Sequence, residues 1–179
     1  ILNGVNSYDG QTLIQQGILV AGNNAALGSL VNGTTVTAGA SLQLGAVTIG
    51  AEALNINGAG PANATGAITQ SPGVTSTYGG LITLQSDSTI NTNAGSTLNL
   101  NGGVTKTDLF LTINGGGTVN VNNVGISGDN DNLFDDDLIV DAATTVNLNV
   151  ANTYEGPTFI RNGSTVNANV ANALPTANG

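Results

Sequence analysis

Leu98, Val119, Val146 and Val166 occupy the same place in four copies of one phrase. The phrase is a short alternating strand, a turn carrying Gly or Ala, a small residue and a second strand. It fills 35–44, 88–100, 111–121, 138–148 and 159–168. The steps between the four aligned residues are 21, 27 and 20. A step near 20 residues is the length of one coil of a β-solenoid, and the longer step absorbs a loop.

A longer repeat is laid over the short one. Asn6-Ser7-Tyr8-Asp9-Gly10 returns as Asn152-Thr153-Tyr154-Glu155-Gly156, an offset of 146 residues. Each copy runs on through an apolar pair, a Gly and another apolar strand. They close on Asn24-Ala25-Ala26-Leu27 and Asn172-Ala173-Leu174. The chain therefore reads as one large unit plus the start of the next.

Within each phrase Val, Leu and Ile alternate with Thr, Asn and Gln, so the first set faces inward and the second outward. Gly supplies positive φ at the corners, and Asn tolerates it. Asn above Asn in successive coils predicts amide ladders that tie coil to coil. The competing reading of the Asn-Gly pairs is hairpin turns in an antiparallel sandwich. The coil-length step and the long echo favour the solenoid. Neither 24–30, bounded by Gly22 and Gly28, nor 50–54 is long enough to nucleate a helix.

Five stretches follow in one continuous solenoid: first coils over 1–57, an irregular excursion over 58–80, and regular coils over 81–124. An acidic loop over 125–137 and final coils over 138–179 complete it. Within the excursion, Ala67-Ile68-Thr69 reads as an edge strand.

The chain's 40% hydrophobic content supplies a core, whereas only 7% of its residues are charged. With Lys106 and Arg161 as the only cationic side chains and a net charge of −9, no nucleic-acid partner is expected. No apolar run approaches the roughly 20 residues of a membrane-spanning helix, so no membrane insertion is expected. Without Cys, disulfides, thiolate nucleophiles and Cys-based metal sites have no residues to use, and without His neither has Ser-His catalysis. A paired-carboxylate hydrolase would need two acids facing each other across one surface. Nothing in the spacing places Glu52 and Glu155 there, so a non-enzymatic protein is expected. Tyr8 and Tyr154 are expected to pack their rings over coil corners with their hydroxyls reaching solvent. A flat Thr face for ice is suggested by Thr35 and Thr37, but that pair is not repeated in register.

One cluster has the chemistry of a ligand set. Asp129, Asp131, Asp135, Asp136 and Asp137 concentrate carboxylates in a short loop, and Ca²⁺ prefers six to eight oxygen ligands. The spacing is not that of an EF-hand, since Leu133 and Phe134 stand where an oxygen ligand and Gly are required. Nor does it match the Gly-rich nonapeptide of Ca²⁺-binding β-helices. The alternative to a Ca²⁺ site is a solvated acidic bulge. No other cofactor is expected.

Val104-Thr105-Lys106-Thr107, Leu111-Thr112-Ile113, 152–160 and 162–166 together resemble the autotransporter-associated β-strand repeat of very large bacterial surface and passenger proteins. The stretches 48–58 and 80–84 are similar to phrases from such proteins. The wide separation between the Lys106 and Tyr154 phrases departs from the family's usual spacing. The resemblance implies a right-handed parallel β-helix exported to the cell exterior. The expectation that follows is an all-β, right-handed parallel β-helix with coils of about 20 residues and one or two lateral loops. Such a segment would serve an extracellular bacterial fibre, filament or adhesin stalk, with further copies of itself or flanking repeats as end-to-end partners. The alternative is a ligand- or glycan-binding adhesin module acting through the loops at 58–80 and 125–137.

Overall fold

The computed structural model describes residues 1–62, 65–128 and 137–175. Among them there is no helix, and parallel strands stack into a β-solenoid of about seven turns at a spacing near 22 residues. The parallel pairing excludes the antiparallel sandwich.

Each full coil carries a strand on each of three faces. Coil 1 contains β1 (Thr12–Ile14) and β2 (Gly17–Ala21); coil 2 contains β3 (Thr34–Val36), β4 (Ala40–Leu44) and β5 (Thr48–Ile49). Coil 3 contains β6 (Leu54–Gly58), β7 (Ile68–Gln70) and β8 (Thr75–Tyr78). In coil 4 the ten-residue β9 (Ile82–Asn91) bends around the first corner and serves two faces, followed by β10 (Thr97–Leu100). Coil 5 contains β11 (Val104–Thr105), β12 (Leu111–Asn114) and β13 (Thr118–Val121). Coil 6 contains β14 (Ile126–Ser127), β15 (Leu138–Val140) and β16 (Thr145–Leu148), and coil 7 ends with β17 (Thr158–Ile160) and β18 (Thr165–Ala168). The third face is a six-stranded sheet, and β9 joins the other two faces into one of twelve strands.

The interior follows from the period of two. On the second face Leu42, Ile68, Ile90, Ile113, Val140 and Ile160 stand in register across consecutive coils. On the third, Leu98, Val119, Val146 and Val166 do the same. All but the last of each column are buried, since every inner coil is covered by a coil on either side. Burying each such aliphatic side chain contributes roughly 1.5–3 kcal/mol. In the last described coil Ile160, in register with Val140, is 50% exposed.

The irregular stretch turns out to be an ordinary coil carrying a side loop. Residues 68–70 are not an edge strand: β7 pairs with β4 on one side and β9 on the other. β6 ends at Gly58 after a register shift against β9 between Ile56 and Gly58, and Ala67 rejoins the ladder by accepting from the Leu42 N–H at 2.8 Å.

Successive coils approach most closely at the corner between the third and first faces. A Cβ on Gly102 would lie 2.1 Å from the carbonyl carbon of Gly80, and one on Gly80 would lie 1.7 Å from the Glu52 carbonyl oxygen. Only a residue without a side chain fits between these backbones.

Candidate functional surfaces

The two tyrosines of the long echo are held alike. Asn6 and Asn152 each donate an amide N–H to a carbonyl in the following coil, at Ala26 (2.7 Å) and Ala173 (2.6 Å). The hydroxyls of Tyr8 and Tyr154 meet the hydroxyls of Thr12 (2.6 Å) and Thr158 (2.7 Å). The 146-residue repeat in sequence is thus a repeat in local geometry. The expected outward hydroxyl is not what Tyr154 adopts. It is buried, because a full coil covers it, and the Lys106 ammonium stands 4.8 Å from its ring centroid. Lys106 is itself fully buried, so the contact with the ring's negative face lies in a low dielectric.

Glu52 is buried at the corner beneath β6 and accepts a hydrogen bond from the Thr34 hydroxyl at 3.0 Å, while its second oxygen has no partner. Burial raises the carboxyl above its ordinary range, and the Thr34 hydrogen bond partly offsets the rise. Burial likewise raises the Tyr78 hydroxyl, helped by the Glu52 charge. Both groups are buried in the coil interior.

Of the Ca²⁺ candidates, Asp129, Asp131, Asp135 and Asp136 lie outside the described residues. Asp137 is described, and its main-chain carbonyl accepts from Leu111 at 3.0 Å, which registers coil 6 on coil 5. Among the described residues no three acidic, His or Cys groups converge.

A cleft opens at the foot of the coil 3 side loop, with a volume of about 150 Å³. Gln43, Thr69, Asn91 and Asn93 line it together with Thr65 from the loop and Ile18 from coil 1. The Asn93 amide is anchored to the Gln70 carbonyl at 2.6 Å. The wall is amide and hydroxyl, without a titratable group. It can bind a neutral polar molecule and offers no acid or base to transform one.

The third face presents the most regular surface. Thr75, Thr97, Thr118, Thr145 and Thr165 form one outward column. Two residues further along, Asn99, Asn120, Asn147 and Asn167 form a second. The amides of Asn120, Asn147 and Asn167 each donate to the side-chain carbonyl of the Asn in the preceding coil, at 2.8, 2.7 and 2.7 Å, and Asn99 donates to the Thr77 hydroxyl at 3.3 Å. Asn101, Asn122, Asn149 and Asn169 form a third column, an amide ladder of the same polarity, at 3.2, 2.8 and 2.7 Å. The amide ladders expected from the sequence are therefore present, as two continuous rows over four coils.

Comparison with known proteins finds no matching family model, no matching curated protein and no matching solved structure. The described residues contain no helix long and apolar enough to cross a membrane.

Proposed function

We propose that the chain is a non-enzymatic structural segment, a stretch of a longer solenoid in an extracellular fibre, filament or adhesin stalk of the autotransporter-repeat kind. The observation that carries this reading is the coil-on-coil stacking itself: parallel strands pair from coil to coil on all three faces, and the inward aliphatic columns are buried in every inner coil. The geometric echo between Tyr8 and Tyr154 supports continuation in units of 146 residues. Length then grows by adding coils, each held by its neighbour through backbone ladders and the aliphatic interior. Electron microscopy of the native material tests this. Fibres with an axial coil repeat of about 4.8 Å are expected, and isolated monodisperse particles would count against it.

The cleft beside the side loop favours a second reading, a module that binds a neutral glycan. A glycan array with the wild-type chain and with Gln43→Ala and Asn93→Ala separates the two. Binding lost in both variants, with fibres intact, supports the module.

A further inference from the structure

We propose that the third face is an ice-binding surface. Strands β10, β13, β16 and β18, each with the residue that follows it, read Thr-x-Asn-x-Asn four times. The register sets like above like: Thr97, Thr118, Thr145, Thr165, then the two Asn ladders. Outward residues along a strand are about 6.6 Å apart and neighbouring coils about 4.8 Å apart. The face is thus a rectangular grid, three groups wide and four coils long, on one parallel sheet. Lattice spacings of this order recur between water oxygens on ice surfaces.

Three further features of this face match ice. The ladders hold every amide plane in one orientation, so the grid is ordered before any ligand arrives. Each inner Asn spends one N–H and one carbonyl lone pair on its neighbours, leaving a second N–H and a second lone pair for water. No charged residue falls within 97–101, 118–122, 145–149 or 165–169, so no ion imposes its own hydration shell on the array. No aromatic residue stands on the grid either. A crystalline polysaccharide, which is held chiefly by stacking sugar rings on aromatic faces, therefore has no platform there.

The other faces lack this pattern. The first-face outward column mixes Leu13, Thr35, Asn55, Thr83, Thr105 and Ser127, and the second-face column passes from Thr112 to Ile139 and Phe159. Thr37, the other half of the Thr35 pair, turns its hydroxyl to the carbonyls of Ile14 and Gln15.

The test is thermal hysteresis and partitioning into slowly growing ice, using the wild-type chain. The expected result is incorporation into ice and faceted crystals. Thr118→Tyr with Thr145→Tyr raises bulk in the middle of the grid and is expected to reduce hysteresis several-fold. Thr83→Tyr, on the first face, leaves it unchanged. Circular dichroism and melting confirm the fold of each variant. Should the double variant fail to fold, Asn149→Lys places a charge at an exposed grid point and is expected to weaken hysteresis in its stead. Exclusion of the wild-type chain from ice overturns the proposal. So does equal loss in Thr83→Tyr, or adsorption to microcrystalline cellulose without adsorption to ice.

Discussion

Glu52 sits in a position where ionisation opposes folding. In the unfolded chain its carboxyl titrates near 4.5, and in the coil corner burial raises it. Between those two values the folded state holds more protons than the unfolded one, so stability falls as pH rises. The contribution is fully present below the unfolded value and lost as pH climbs through the raised one. Glu52→Gln is expected to raise the melting temperature at neutral pH and to give no gain below pH 4.5, as a thermal-melt series across that range would show. A second residue-scale strain lies at the corner between β15 and β16. Ala142 and Ala143 both adopt positive φ, 57° each, where the equivalent corners use Gly115-Gly116 and Asn162-Gly163. A left-handed conformation costs an ordinary residue roughly 1–2 kcal/mol. Ala142→Asn with Ala143→Gly is therefore expected to stabilise the chain by about 1 kcal/mol or more, measured by chemical denaturation.

At the scale of the element, the ladders bind neighbouring coils in a way that depends on position along the row. Asn120 donates to Asn99 and accepts from Asn147, whereas Asn167 makes one rung only, to Asn147. A net hydrogen bond contributes about 1 kcal/mol. Asn120→Ala is thus expected to cost roughly twice as much as Asn167→Ala, about 2 against 1 kcal/mol by that measure, with urea midpoints as the check. A side-chain effect independent of the ladder would give equal losses. The corner glycines set the other inter-coil distance, and their tight backbone approach explains why Gly79-Gly80 and Gly102-Gly103 occur as pairs at successive coil junctions.

For the whole molecule, the strand ladders join each coil to its neighbours, with Lys106 of coil 5 reaching the Tyr154 ring of coil 7 as a longer contact, so stability is approximately a sum of coils and interfaces and falls away at the ends. The inner strands β10, β13 and β16 have partners on both sides, and β18 has one. Amide hydrogen exchange is expected to be slowest in coils 4 and 5 and markedly faster over 158–168. If fibres form by end stacking, that gradient should disappear in the assembled material. Uniform protection in the isolated chain would instead point to one cooperative unit.

Alternation and repetition were enough to fix the class of fold, because a period of two together with a coil-length step leaves few ways to bury the Leu, Val and Ile positions. Inward Leu98, Val119, Val146 and Val166 and the amide rows beside them were legible for the same reason. The sequence pattern alone reads 67–69 as an edge strand, whereas β7 is paired on both sides. Strand register partners here stand anywhere from 20 residues apart, as Thr34 and Leu54, to 30 apart, as Gly58 and Ser88. Where each coil stores its extra residues is chosen by backbone hydrogen bonding across coils, which leaves no mark on the local pattern. The same rule decided the surfaces. Sequence placed Thr and Asn outward, but only the stacking set three columns of them into one grid, drew Lys106 onto the ring of Tyr154, and sealed Glu52 against Thr34.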